Sequence, residues 1–480
     1  MSNKKKKFYV STAIDYPSEK CHLGHALEKV QADVIARYKR FQGYDVHFST
    51  GTDEHGLKIQ RRAEKAGKNP QEFVDQMSRY FRDMNKILNI SNDDFIRTTE
   101  KRHIKIVQEI IKKIYKKGDI YKGKYKGLYC VDCETFYLPK DLKNGKCPIH
   151  KKPVEVIKEE TYFFRTSKYQ KQLQKHIKKN KKFIIPESKR NEILNRLKEP
   201  LQDLSISRKT VKWGIPLPFD KKFSLFVWID ALCNYLTTIS YSSNKFKRFW
   251  PADIHVIGKD IVWHHTVIWN SLLSSLGLSL PKTIFIHGFI TSEGQKMSKS
   301  LGNVVDPFVL VEKYGTDAVR YFLLREISPT EDGDFTYEKF EQRYNSDLAS
   351  GLGNLLARVI TLAEKQKITN QDQKIKKEIN KTWREYRKAL DNFKFNEALK
   401  EIWKLISFCD RYIEKERPWE MENQKSKIKN QKVINNLLIT LANISQMLQP
   451  FLPETSEKII KNIRQLAEKT KKSKPLFPRI

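Results

Sequence analysis

The sequence predicts an α/β protein in which parallel-sheet segments are interrupted by a small cysteine-bearing insert and followed by an all-α helix bundle. Three patterns carry this expectation. Residues 6–56, KKFYVSTAIDYPSEKCHLGHALEKVQADVIARYKRFQGYDVHFSTGTDEHG, read as strand, loop, long helix, strand and polar loop, which is a right-handed βαβ unit and hence a parallel pair. Residues 283–290, TIFIHGFI, read as a buried strand of β-branched and aromatic residues, and residues 306–324, DPFVLVEKYGTDAVRYFLL, as a helix start and an amphipathic helix. In the carboxy-terminal third the apolar positions recur at helical spacing, in Leu390, Phe393, Ala398, Ile402 and Leu405 and again in Leu437, Leu438, Leu441 and Ile444. Between them MENQKSKIKNQK, residues 421–432, reads as a solvated loop.

Composition narrows the function classes. A hydrophobic fraction of 39%, with 26 Phe, 20 Tyr and 8 Trp, fits a folded chain and excludes general disorder. No apolar run approaches the roughly 18 to 20 residues of a membrane span, and MSNKKKK leads into a strand with no secretory cleavage pattern, so a soluble, cytoplasmic protein is expected. The formal charge is +35, spread over long stretches: residues 111–220 hold 28 basic against 12 acidic residues, and residues 361–480 hold 27 against 15. Such a diffuse field favours a polyanionic partner, although a lysine-biased composition produces part of the same excess.

In chain order, the first chemical cluster is HLGH, His22 to His25, where the first loop meets the helix. Two imidazoles and a helix amino end converge there, and Gly24 allows close backbone approach, which suits a phosphate; two capping histidines are the alternative. Cys130, Cys133, Cys147 and His150 form the second cluster. Two thiolates three apart on a tight turn grip one edge of a metal, and a second such turn completes a tetrahedron suited to a closed, structural zinc site, against a disulfide or unrelated buried thiols. Cys21, Cys233 and Cys409 stand apart and read as small apolar residues. FVWIDALCNY, residues 226–235, reads alone as core. GQKMSKSLGNVVDP, residues 294–307, is either a solvated turn or a mobile cationic loop holding phosphate with Lys296 and Lys299, and its place after a core strand favours the second. NLLAR sets Asn354 and Arg358 one turn apart on a helix face, and RPWE offers Trp419 after a proline.

HLGH and KMSKS about 270 residues apart resemble the signature pair of class I aminoacyl-tRNA synthetases. The run AIDYP, GTDEHG, LYCVDCETFY, DLSISR, WGIPLP, VWIDAL, IGKDI, HGF and GNLLAR, in this order, resembles the methionyl-tRNA synthetase family from about residue 7 to about residue 460. The resemblance implies a Rossmann-like catalytic domain (1–118 and 221–325) split by a zinc-binding insert (119–220), then a linking stem-contact segment (326–350) and a helical anticodon-binding domain (351–480). It implies activation of L-methionine by ATP and transfer to tRNA(Met) with a CAU anticodon, one structural Zn2+ per chain, and Mg2+ with ATP. His22, Gly24, His25, Lys296 and Lys299 would be catalytic. Lys259, Asp260, His287 and Ile290 would join the histidines and lysines around ATP, with Asp260 on the ribose hydroxyls. Asp53 would meet the methionine ammonium, and Ala13, Ile14, Tyr16, Trp228, Ala231, Leu232, Tyr235, Ile261 and His265 would form the side-chain pocket. Asn354, Arg358 and Trp419 would read the anticodon, where Trp419 seen alone reads as a packed residue.

The sequence departs from the family pattern at Asp15, Ser18 and Glu19 before HLGH, and at His264 and Asn270, where apolar residues or Pro are more usual. A monomer is expected, with no appended dimerising domain. A ligase for another aliphatic amino acid is disfavoured because residues 119–220 are short for a large editing domain, and a non-catalytic relative is disfavoured by intact HLGH, Asp53 and KMSKS.

Overall fold

The computed structural model describes residues 5–133, 135–137, 139–149, 151–297, 302–363, 373–420, 424–468 and 475–480. The chain divides into two compact units. The first comprises Met1–Cys21, Gln42–Asn85 and Ser91–His287, the second His22–Phe41, Lys86–Ile90 and Gly288–Ile480.

In the first unit the strands β1 (Lys7–Thr12), β2 (Asp45–Thr52), β3 (Asp94–Arg97), β4 (Ile184–Ile185), β5 (Ile254–Gly258) and β6 (Ile284–His287) form one all-parallel sheet. Their order is β3-β2-β1-β5-β6-β4. IHVIG and IFIH are buried along their whole length, as expected for parallel strands covered on both faces. The order reverses between β1 and β5, so the carboxyl ends of these two strands flank the crevice where such sheets hold ligands. Within residues 119–220 the chain builds an antiparallel ribbon, Ile120–Cys130 against Glu155–Phe164, with Thr135–Tyr137 and Leu204–Ser205 on its edges. Ile184–Ile185, inside the same span, returns to pair with β6.

In the second unit the helix Leu23–Phe41 is buried over most of its length, polar residues included. Arg320, fully buried, donates to the carbonyls of Leu88, Pro450 and Phe451 and pairs with Asp33 at 2.8 Å, so one satisfied guanidinium ties this helix to the turn before Pro453–Glu468. Among the described residues four long helices follow, Gln373–Leu390, Phe395–Glu416, Gln424–Leu448 and Pro453–Glu468. Leu390, Ala398, Ile402, Leu405, Leu437, Leu438, Leu441 and Ile444 are buried in them.

Four local expectations change. TIFIHGFI is two strands: β6 ends at His287 and Ile290–Ser292 pairs instead with Gly333–Phe335, the break falling at Gly288, where a Cβ would lie 2.1 Å from the Glu331 carbonyl oxygen. Residues 306–324 are two helices, Pro307–Tyr314 capped by the Asp306 side chain and Thr316–Arg325, parted by Gly315 at φ 86°. Phe393 lies in the turn between helices at φ 58°, and from Gln424 onward the polar run expected as a loop is helix, since Lys and Gln favour helix and Lys429 pairs with Glu416 at 3.0 Å.

Candidate active site

The helix Leu23–Phe41 starts inside HLGH. The Gly24 amide donates to His22 Nδ1 at 3.1 Å, and the His22 amide donates to His25 Nδ1 at 3.1 Å, with the two rings 4.0 Å apart. Both Nδ1 atoms are therefore acceptors, which fixes each neutral ring with its proton on Nε2. The capping and phosphate-binding alternatives are thus compatible: the cap uses Nδ1 and puts each ring proton on Nε2, beside the positive end of the helix. The Leu23 amide donates to the Val305 carbonyl at 3.1 Å, which joins the end of the lysine-bearing stretch to this start. Lys296 lies in the short strand Gln295–Lys296, paired with Thr291, and Ile290 is buried in the neighbouring strand. Lys299 lies outside the described residues.

The first unit brings a separate set together at the carboxyl ends of its strands. Ala13 and Ile14 follow β1, Asp53 follows β2, Lys259 and Asp260 follow β5, and His287 ends β6 opposite Gly258. Asp53 is buried and its amide donates to the Asp15 carbonyl at 2.8 Å. Lys259 is half-buried, Asp260 exposed and His287 buried. Ala13 packs in one apolar cluster with Ile261; Leu232 and Tyr235 pack in another with Tyr16 and Trp228. Ala231 is buried on the same helix as Trp228, Val227–Leu232.

His265 belongs to this wall. Its Nδ1 lies 2.9 Å from the Ile261 carbonyl, to which it can only donate, so its Nε2 accepts from the Tyr235 hydroxyl at 2.7 Å. His264 lies flat on Trp228 with ring centroids 3.8 Å apart and planes at 16°. Burial, as the largest cause, pushes His264 down to about 3, so it serves as a neutral aromatic surface where an apolar residue was the expected type. His264–Ile268 is a π-turn, and Asn270 explains itself there: its Nδ2 donates to the His265 and Thr266 carbonyls at 3.0 and 2.9 Å. Of the other departures, Asp15 is buried and bridges to Thr52, while Glu19 pairs with Arg62 at the surface.

Cys130, Cys133 and Cys147 present sulfurs within 4.8 Å of one another, and His150 lies outside the described residues. The hydrogen-bonding contact with Cys130, then burial, pushes the Cys133 thiol up. Three convergent sulfurs fit a soft, tetrahedral ion such as zinc. Cys21, Cys233 and Cys409 are buried singly, as expected. Trp228 touches this knuckle: its indole N–H donates to the Cys133 carbonyl at 3.3 Å.

Against known proteins, residues 8–148 and 132–360 match the family model for tRNA synthetases class I (M), and residues 372–478 match that for the anticodon-binding domain of tRNA ligases. The methionine–tRNA ligase of Caldanaerobacter subterraneus subsp. tengcongensis is 48% identical over 472 residues, covering 96% of this chain and 74% of that one. That of Bacillus subtilis is 42% identical, covering 100% and 79%. The chain belongs to the methionyl-tRNA synthetase family. Its enzyme class is methionine–tRNA ligase, an ATP-dependent aminoacyl-tRNA synthetase. A solved Mycobacterium tuberculosis methionyl-tRNA synthetase, in complex with methionyl-adenylate, superposes with a TM-score of 0.94 at 37% identity over 99% of this chain and 100% of that one.

The three residues expected to meet an anticodon, Asn354, Arg358 and Trp419, lie in the second unit. Asn354 is exposed and Arg358 half-buried on the helix Asn354–Ala363, and Arg358 pairs with Glu414 at 2.6 Å. Trp419 follows a buried Pro418 and is 48% exposed, where the residue seen alone was expected to be packed. Among the described residues no helix is long and apolar enough to cross a membrane.

Sequence reasoning missed the buried polar network behind Asp53. Glu54, next in GTDEHG, accepts from Thr52, Thr99 and Arg97 at 2.6–2.7 Å, and its carbonyl accepts from the Trp213 indole at 2.6 Å. His55 and His103 both bond the buried Asp230. The available signal was an aspartate inside the apolar run FVWIDAL, which needs partners if it is buried.

Proposed function

We propose that this chain joins the carboxylate of L-methionine to the α-phosphate of ATP, releasing pyrophosphate, and then passes the methionyl group to the terminal adenosine of tRNA(Met) bearing a CAU anticodon. The observation that carries this reading is the histidine pair, two Nε2–H donors fixed by backbone amides at the start of a 19-residue helix. Charge grows on phosphoryl oxygens as pyrophosphate leaves, and donors already oriented toward it need no reorganisation. In this assignment His22 and His25 hold the phosphoryl oxygens, Gly24 gives them room, and Lys296 and Lys299 hold the pyrophosphate. Lys259, Asp260, His287 and Ile290 hold the adenosine.

Asp53 takes the methionine ammonium. Ala13, Ile14, Tyr16, Trp228, Ala231, Leu232, Tyr235, Ile261 and His265 enclose the thioether, where sulfur against aromatic faces contributes about 0.3–1.5 kcal/mol. Asn354, Arg358 and Trp419 read the anticodon, Trp419 by stacking. Zinc would be held by Cys130, Cys133, Cys147 and His150 and supplies a structural crosslink; Mg2+ accompanies ATP and neutralises phosphate charge. The segments 1–118, 119–220, 221–325, 326–350 and 351–480 are the working parts, and a cytoplasmic monomer is the working state.

The test is amino-acid-dependent ATP–pyrophosphate exchange, followed by charging of a CAU tRNA. Methionine should support exchange far better than leucine, isoleucine or valine, and anticodon replacement should abolish charging. Exchange best supported by another aliphatic amino acid, or none above background, would overturn the assignment.

A further inference from the structure

Asp230 is a fully buried carboxylate in the middle of the helix Val227–Leu232, and it is shared by two histidines from distant parts of the chain. His55 Nδ1 lies 2.7 Å from Oδ2 and His103 Nε2 lies 2.7 Å from Oδ1. His103 is anchored in turn, its Nδ1 3.1 Å from the Thr237 hydroxyl. His55 is anchored on its own side: its carbonyl accepts from the Tyr16 hydroxyl at 3.0 Å and its ring packs on Trp213 at 5.4 Å. Burial alone would push the Asp230 carboxyl up, but the two histidines outweigh it and hold it below the ordinary carboxylate range.

The location gives this bridge its consequence. His55 stands two residues after Asp53, and Asp230 stands between Trp228 and the Ala231–Leu232 pair. We infer that the His55–Asp230–His103 bridge is a positioning device that holds the Asp53 loop in register with the pocket helix, so that one ligand can satisfy the ammonium site and the thioether wall together. This inference rests on the methionine-pocket reading given above. None of the three residues needs to touch substrate. A charge-assisted bond at each end of Asp230 makes the register stiff, and a small displacement of Asp53 is enough to spoil a contact that depends on distance and direction.

The experiment compares the whole chain with Asp53→Asn, Asp230→Asn, His55→Asn and His55→Leu. It measures KM for methionine and for ATP in pyrophosphate exchange, together with inhibition by two probes. Methioninol carries both the ammonium and the thioether; 4-(methylthio)butanoate carries the thioether without the ammonium. Asp230→Asn should raise methionine KM and weaken methioninol at least tenfold, while ATP KM and 4-(methylthio)butanoate inhibition change by less than about threefold. His55→Leu should behave in the same way. His55→Asn, whose side-chain amide can stand in for the Nδ1–H donor, should recover most of the difference, which a merely space-filling role would not produce. Because the His55 variants leave Asp230 in place, they decide the matter if Asp230→Asn does not fold. Equal weakening of both probes, parallel rises in both KM values, or no rescue by His55→Asn would overturn the inference. If Asp53→Asn leaves methioninol inhibition intact, the pocket reading falls first and takes this inference with it.

Discussion

If zinc sits in the cysteine knuckle as proposed, removing it should weaken methionine use through one identifiable hydrogen bond. The Trp228 indole donates to the Cys133 carbonyl at 3.3 Å, and the opposite constraint on that ring is the flat stack on His264. A neutral hydrogen bond contributes about 0.5–1.5 kcal/mol net, and one of this length belongs in the lower part of that range. Taking ~0.5–1 kcal/mol, loss of the bond should raise methionine KM about two- to fivefold. The assay is pyrophosphate exchange before and after chelation, with zinc content measured on the same samples, for the unmodified chain and for Trp228→Phe. The Phe ring keeps the aromatic wall but has no N–H, so this variant should show the raised KM while still loaded with metal, and chelation should add little further. If chelation multiplies KM equally in both proteins, the knuckle does not act through this indole. A simultaneous rise in ATP KM would show general loss of order in place of a local effect.

Three further outcomes are expected. Lys299→Ala should lower the activation rate at least tenfold with methionine binding nearly unchanged, because the proposed assignment needs its charge as pyrophosphate forms; single-turnover activation with separate methionine titration checks this. Trp419→Ala should lower tRNA charging efficiency about ten- to a hundredfold, the equivalent of ~1–3 kcal/mol of base stacking, and leave tRNA-free exchange intact, whereas Trp419→Phe should keep part of the charging. Asp317 is buried, with Oδ1 unpartnered among the described residues and Oδ2 accepting from the Thr455 amide at 2.6 Å, and burial pushes its carboxyl up to about 6 despite Arg320. Its folded form holds a proton that the unfolded chain releases near pH 3.9, so its contribution to stability is best below that pH, falls as the pH rises to about 6 and is level above, a total on the order of 3 kcal/mol. Asp317→Asn keeps the acceptor and should remove this fall from urea-unfolding curves taken between pH 4.5 and 7; an unchanged wild-type-minus-variant difference across that interval would refute it.

Much of the fold was legible because burial leaves a periodic trace. The β1–helix–β2 pattern and the apolar spacing of the last third needed no tertiary information, and both are present. The errors fall where a single contact overrides a local pattern. TIFIHGFI is mostly apolar, yet the strand ends before Gly288, where the Glu331 backbone lies too close for any side chain and the next strand pairs with Gly333–Phe335. Residues 424–432 are polar except for Ile428, and hydropathy could not distinguish a loop from a helix whose buried Asn430 donates to the Glu420 carbonyl at 2.8 Å. The return of Ile184–Ile185 to the central sheet was not legible either, since two isoleucines carry no register of their own.

The site was legible to a different depth. HLGH and the cysteine doublet announce themselves because chemistry needs those residue types at short spacing, and sequence proximity is the same as spatial proximity there. Asp230 shows why the rest was hidden. Its partners are 175 and 127 residues away, at His55 and His103, and nothing in the spacing of either links them to it. What the sequence does contain is a violation: an ionisable group in a helix whose neighbours Val227, Ile229, Ala231 and Leu232 are all buried. A carboxylate in that position either faces solvent, which those neighbours forbid, or has charge-compatible donors on more than one side. The unpaired alternative is too costly, so the local sequence already required the donors without naming them. Histidine can meet that requirement while also filling apolar space, which is why both partners look like ordinary core residues until the fold brings them to the same carboxylate.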